Sequence, residues 1–347
     1  VRYYRIIITN DDGSIYRFKS LGTAIDPPST LSSLLPGGPQ NPAYGLTNPA
    51  ALQIELDLPV SSYGDPTGNA LLTIHNLGIV DVSSAADLAG LNIQIFGGMA
   101  KGLPLANPAQ AGLLFEGHIF TSWGMWFNER QCITLNMTPG LLAANKKGPA
   151  VGSPNAPQNF PVAWKTGTPL GQAIAQTLSI AMPGMAQNIN ISPNIVLNHD
   201  SAGQYQSLTQ FAEAVDVVAR SILGAGYPGI SVYVNGGTIT VADMTATANV
   251  IKIAPQDIIG QPTWVQFNQI SVQLVMRADI HNGDTITLPA IVVQTGSGAR
   301  SAWQNIPANK LTFSGNFVVQ QLRHLGNFRQ EDGEAWNTTY TCNVASA

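Results

Sequence analysis

The sequence predicts a β-rich α+β chain in which two antiparallel β modules flank a small α/β domain. Three observations carry that expectation. Apolar and polar residues alternate through most of the chain, as in Leu52, Ile54, Leu56 and Leu58 against Gln53, Glu55 and Asp57, which is the period of a strand with one dry and one wet face. The period becomes helical only after Thr168 and until Gly224. One strand signature also occurs twice, about 200 residues apart. Leu113, Phe115, Gly117 and Ile119 obey Leu-x-Phe-x-Gly-x-apolar, and so do Leu311, Phe313, Gly315 and Phe317. Each copy follows a Gly-x-x-Ile strand start (Gly90 to Ile93, Gly283 to Ile286) and precedes a Thr-x-Asn-apolar strand (Thr134, Asn136, Met137; Thr341, Asn343, Val344). The order is the same in both halves, so a similar β module is expected twice in one polypeptide. A chain holding two copies of one module can change the symmetry of an assembly. The expected boundaries are 1–145, 146–256 and 257–347.

Tyr3 to Thr9 and Ser14 to Phe18 read as a hairpin turned at Asn10, Asp11, Asp12 and Gly13, because Asp-Gly tolerates positive φ in tight turns. The acidic pair lacks the downstream Glu and alternating ligands of a calcium loop. Ile25 to Pro49 is rich in Pro, Gly, Ser and Asn, and a long irregular arm of this kind serves as a clasp that orders on a neighbour. Further strands are expected over 52–58, Asn69 to Leu77, Leu91 to Phe96, Leu113 to Trp123 and Gln131 to Thr138, joined by turns as in an antiparallel sandwich or barrel. Trp123, Met125, Trp126 and Phe127 fall between the last two. They read as an aromatic plug or a subunit contact, with a ligand-stacking platform as the other reading. Pro139 to Pro161 is a second Gly/Pro-rich connector and a domain boundary.

Thr168 and Pro169 supply an N-cap and first-turn residue, and Leu170, Ala173, Ile174, Thr177, Leu178 and Ala181 form one helical face ending at Pro183 and Gly184. Ser207 with Gln210 makes a capping box for a second helix, whose stripe is Leu208, Phe211, Ala212, Val215, Val218, Ala219 and Ile222 and which ends at Gly224. A hairpin follows, Ile230 to Val234 and Thr238 to Val241, turned by Asn235, Gly236 and Gly237. Two helices on a short sheet are expected here. Strands resume over Val265 to Met276, Asp284 to Leu288, Leu311 to Leu322 and Asn337 to Val344.

Only 10% of the 347 residues are charged, well below the roughly 25% usual for globular proteins. Such a weakly charged surface suits a subunit that hides much of itself against neighbours. Sixteen basic against twenty acidic residues give a net charge of −4, and the longest basic run is Lys146 and Lys147, so the footprint of sequence-specific nucleic-acid binding is absent. Cys132 and Cys342 lack metal-binding spacing and read as reduced, structural thiols. Neither a signal peptide nor a membrane span is expected, which keeps the protein in a cytosol until it is assembled.

No motif for a nucleophile elbow, P-loop, dinucleotide site or zinc protease occurs. His75, His118, His199, His281 and His324 are scattered, and His199 beside Asp200 would face away from it on a strand. Asp257, Asp279, Asp284, Glu331, Asp332 and Glu334 fall at turns or strand starts, where solvated acids are ordinary. The expectation is no enzyme, no catalytic residue, no cofactor and no metal.

Several residues along the C-terminal third carry a resemblance. They are Gly260, Pro262 and Thr263; the strand to Met276, Arg277 and Ala278; Gly283, Asp284, Thr285, Ile286, Leu288 and Pro289; and Gly315, Phe317, Val318, Leu322, Arg323, His324, Gly326, Trp336 and Thr338. With Gly102 to Pro108 and the strand after it, these resemble the baseplate hub (tail hub) proteins of contractile-tailed bacteriophages, over nearly the whole chain. The resemblance implies a homotrimer whose subunits each contribute two tail-tube-like β-barrels. Six barrels in a ring would carry a sixfold tail tube or tube-initiator ring on one side and a threefold central spike on the other. It also implies a DNA-ejection channel, baseplate wedge and tape measure proteins as further partners, and a place in the virion after assembly in the host cytoplasm. His324 is expected to bond within the barrel's closing turn. Unlike larger hub proteins, the sequence carries no lysozyme-like segment, which leaves wall degradation to another protein. The alternatives are a single-ring tube or tube-initiator protein, or a carbohydrate-binding or hydrolytic β-protein using the aromatics from Trp123 to Phe127 and an acid pair.

Overall fold

The computed structural model describes residues 2–21, 51–60, 69–99, 107–140, 159–224, 227, 229–235, 237–243, 250–266, 268–289, 313 and 315–345. The expected arms at 25–49 and 139–161 lie almost wholly outside these residues. Strands β1 (Arg2–Thr9), β2 (Ile54–Val60), β3 (Ala70–His75), β4 (Asn92–Met99), β5 (Gly112–Phe127) and β6 (Arg130–Pro139) make the first half, with helix α1 (Ile79–Ser83) and a 3-10 turn (Ala85–Leu88) before β4. Their hydrogen-bonded order is β1-β4-β5-β6-β3-β2. The turn at residues 10–13 forms as expected, with Gly13 at φ 81°, but the returning strand shrinks to one bridge between Thr9 and Ile15.

The middle block holds β7 (Phe160–Trp164), α2 (Leu170–Ala181), β8 (Ala186–Asn190), β9 (Ser201–Tyr205), α3 (Leu208–Leu223), β10 (Ile230–Asn235) and β11 (Thr238–Asp243). Both expected helices and the expected hairpin are present, and their apolar faces share one core with Phe160, Trp164 and Phe211. Ser207 caps α3 by accepting from the Gln210 amide at 3.2 Å, and the Gln210 side chain accepts from Gln206. Helix α2 begins one residue later than the spacing suggests. Pro169 is extended (ψ 131°) and no side chain caps the end; the Leu170 amide donates instead to Ile195.

The last third supplies β12 (Val250–Lys252), β13 (Thr263–Gln266), β14 (Gln269–Val275), β15 (Thr285–Leu288), β16 (Gly315–Asn327) and β17 (Trp336–Val344). The continuous strand expected from Val265 to Met276 is therefore a hairpin, closed where Gln266 pairs with Gln269. The pairing order is β12-β15-β16-β17-β14-β13, which repeats the first half strand for strand. One difference lies at the outer end, where β1 runs antiparallel to β4 but β12 runs parallel to β15.

The repetition extends to single hydrogen bonds. The Gly90 amide donates to Ile119 and the Gly283 amide to Val319, each at 2.8 Å, while the Ile119 and Val319 amides return 2.9 Å bonds to Leu91 and Asp284. Gly90 and Gly283 both take positive φ (83° and 87°), a conformation that costs glycine nothing. One bulged residue interrupts β5 at Phe120 and its twin interrupts β16 at Gln320. Ile119 thus matches Val319 and Met137 matches Cys342. The Gly-x-x-Ile starts match in register at Gly90 and Gly283, whereas the other two signatures are two positions out of register, a slip that keeps side chains on their proper face.

The halves are joined through β2, which pairs antiparallel with the distal part of β16 from Glu55↔Asn327 to Val60↔Leu322. All these strands form one 12-stranded sheet, with no closed barrel among the described residues. Trp336, Phe328 and Met276 of the last third bury themselves in the core of the first, and the Trp336 indole donates to the Gly98 carbonyl at 3.0 Å. Arg2 reaches from β1 to the carbonyls of Asn327 (2.8 Å), Phe328 (3.1 Å), Gln330 and Asp332. A buried cluster completes the tie: Arg277 meets Asp279 at 2.7 Å and Asp257 at 3.2 Å, and Gln110 of the first half donates to Asp257 at 2.9 Å. Asp257 is thus a buried, paired acid and not the solvated one its turn position suggests.

Candidate functional site

Strand β5 carries the most conspicuous unassigned surface. Its first part pairs with β4 on one side and β6 on the other; beyond His118 it outruns β4 and, among the described strands, pairs only with β6. The segment from Phe120 to Phe127 is uncharged and holds Phe120, Trp123, Met125, Trp126 and Phe127, all exposed, with Phe127 at 74%. Five such side chains on one strand exceed what scattered surface hydrophobics explain, and grouped patches of this kind mark contact sites.

Local packing holds this edge rigid. Ser122 donates to the Ala85 carbonyl at 2.8 Å, and a Cβ at Gly124 would stand 2.1 Å from the Val82 carbonyl, so glycine is what admits α1 against that face. The Trp126 indole donates to the Asn128 carbonyl at 2.8 Å, with Asn128 itself at φ 54°. The aromatics therefore lie within β5 and not between two strands, as their position beyond the alternating run suggested.

A second apolar edge lies at the other end of the sheet. All four residues of β13 are exposed, and Val265 is 56% exposed. Trp264 stacks on Phe313 with centroids 5.9 Å apart and meets Phe317 edge-on. β13 pairs only with β14 among the described strands. The twin of β5's outer edge is different: on β16 it is covered by β2, and the exposed Arg323 guanidinium clamps both Asp57 carboxylate oxygens across that junction.

The histidines and acids do not converge. His324 is not in a turn but mid-strand, opposite Thr338, with Nδ1 2.8 Å from the Thr338 hydroxyl; burial pushes its pKa down to about 3. His118 is also lowered by burial, and its Nδ1 lies 2.7 Å from the Gly140 carbonyl. His199 and Asp200 lie in a bend outside any strand, and Asp200 is taken up by Lys165 and by the amide and hydroxyl of Thr166. Cys132 and Cys342 are buried free thiols, each raised by burial. No group of three or more metal-ligating side chains occurs among the described residues.

One polar cleft of about 530 Å³ opens between β5, the middle block and the 281–284 turn, lined by Glu116, Asn188, Tyr233, Thr240, His281 and Asp284. Of its two acids, Glu116 accepts from Gln94 at 2.6 Å and Asp284 is occupied within its own turn, accepting from the His281 amide at 2.7 Å and lying 3.5 Å from the His281 ring. That contact raises the His281 pKa.

No family model matches the chain, and no curated protein matches it. Solved structures similar to it include a tail protein from Neisseria meningitidis MC58, with 9% identity, a TM-score of 0.49, and 98% of this chain and 96% of that one covered. A 43 kDa tail protein of prophage MuSo2 from Shewanella oneidensis is 9% identical, with a TM-score of 0.44 over 85% of this chain and 92% of that one. A Francisella PdpA-VgrG complex is 8% identical with a TM-score of 0.42; this chain is covered in full and spans 59% of that one. Tail proteins, the class to which the sequence resemblance points, are thus found among the solved structures similar to this chain.

Proposed function

We propose that this protein is the baseplate hub of a contractile tail: a homotrimer whose two six-strand units per subunit act as tube-like barrels and present six near-equivalent positions to a sixfold tail tube. The observation that carries this reading is the strand-for-strand duplication, with matched bulges and matched hydrogen bonds, in one polypeptide. A trimer of such chains offers threefold symmetry to a central spike and pseudo-sixfold symmetry to a tube or tube-initiator ring. The domains are a first unit over 1–145, the α/β block over 146–256 and a second unit over 257–347, whose outer strand β12 comes from the end of the block. Wedge and tape measure proteins are the further partners. The protein is structural and not an enzyme, and it carries no cofactor or metal. It enters the virion after assembly in the host cytoplasm. The scarcity of clustered Lys and Arg suits a channel through which DNA slides without being held, because each neutralised phosphate adds a salt-dependent grip.

The competing single-ring tube reading asks one polypeptide to carry two units where one suffices. Labelled antibody against this chain separates the two on purified tails: a hub gives label at the baseplate end alone, whereas label along the whole tube overturns the proposal. The carbohydrate reading draws on the exposed aromatics of β5 and is tested by cell-wall oligosaccharides, whose binding or release by the purified protein would support it over the hub.

A further inference from the structure

We infer that the outer edge of β5, from Thr121 to Phe127, receives β13 of a second copy of this chain, so that copies join head to tail by strand addition. The inference rests on the hub reading and identifies the contact through which the subunits would close.

Within one chain the first unit already makes this contact with the second. Its end strand β2 adds antiparallel to the distal part of β16, placing Val60 opposite Leu322, Pro59 opposite Arg323 and Leu58 opposite His324. By pairing order, β13 is the second unit's counterpart of β2, and β5 is the first unit's counterpart of β16. The registers agree up to a bulge at Val265: Asp57 faces Leu71 as Thr263 faces Ser271. Donor and acceptor are both unused by any described strand of their own chain. Transferring the in-chain register sets Gly124 opposite Trp264 and Met125 opposite Thr263, and brings Val265, the bulged residue of β13, to Trp123. The exposed apolar groups Trp123 and Met125 of one edge and Val265 of the other then cover one another on the face that α1 leaves open.

Neither segment contains a charged residue. Exposed strand edges are ordinarily blunted by charges, prolines or covering elements, since their free backbone groups template further pairing. A bare, uncharged edge of Trp, Met and Phe matched by a bare edge of Trp and Val fits one dedicated partner. The contact is heterologous, because the two patches differ, and such contacts form rings when the rotation closes. With two units per chain, a ring of six junctions needs three chains, three junctions being internal and three between copies.

The test uses the full chain with Trp123→Cys and Val265→Cys, alone, mixed and combined. Cα atoms of opposed residues in an antiparallel pair lie about 4.5–5.5 Å apart, within disulfide range. After mild oxidation, the double variant is expected to give covalent dimers and trimers on a denaturing gel, the mixed single variants dimers only, and each single variant none. Met125→Cys with Thr263→Cys is the second pair should the first fold poorly. In addition, Val265→Asp should weaken self-association at least tenfold while leaving the unfolding midpoint unchanged. Light scattering on the unmodified chain separates the outcomes. A trimer without cross-links in either pair overturns this interface and leaves the hub reading standing, whereas a monomer at every concentration overturns both.

Discussion

His324 ties the folded state to pH. Its ring is buried between strands, bonded to Thr338, and held neutral with a pKa near 3, whereas an unfolded imidazole titrates near 6.5. Between those values the unfolded chain binds a proton that the native chain refuses. The site's contribution is therefore complete above about pH 6.5 and is lost as pH falls, at up to about 1.4 kcal/mol per pH unit. Urea unfolding from pH 7 to pH 4 should show this slope, and His324→Asn should flatten it. His281 acts in the opposite sense: raised by Asp284, it contributes fully below about pH 6.5 and loses that contribution as pH rises through its folded value. Its exposed ring keeps that effect small. Arg277 is the other decisive residue. Arg277→Met would leave Asp257 buried without its cation, a change expected to cost about 3–5 kcal/mol and to be read as a lower urea midpoint.

At the scale of elements, two glycines mark close approaches, one between strands and one between a strand and a helix. A Cβ at Gly326 would lie 2.6 Å from the Trp336 ring and 2.8 Å from Leu56, so Gly326→Ala strains the junction of β2, β16 and β17. Overpacking of that kind costs about 1–3 kcal/mol, measurable as a drop in unfolding free energy. Gly124→Ala meets the Val82 carbonyl and should displace α1, seen as faster amide exchange over Ile79–Ser83 with the rest of the sheet unchanged. The alternating strands β2, β3, β4 and β6 were legible because polar and apolar residues alternate along each of them. β8 and β9 were not, since Ala-Gln-Asn-Ile-Asn and Ser-Ala-Gly-Gln-Tyr offer almost no apolar alternation. The distal part of β5 escaped for the converse reason: Trp, Met and Phe on both faces erase the period of two. The repeat was legible in kind and order but not in register, because a pattern of period two matches itself equally well after a shift of two residues.

The whole molecule is a paired construction, six strands repeated in one order and welded by β2 on β16, with Trp336 and Arg2 crossing the seam. The weld makes the two halves one continuous sheet, in which each half keeps one apolar edge that no described strand covers: β5 in the first and β13 in the second. A low share of charged residues, 10%, fits a chain whose remaining surface is also committed to neighbours. The same duplication would make three copies equivalent to six positions in the proposed hub. Cryo-electron microscopy of the purified, assembled protein tests it most directly. The expected result is three chains per ring, with six copies of the six-strand unit related by an approximate sixfold axis. A ring of six chains, or particles holding a single chain, would contradict it.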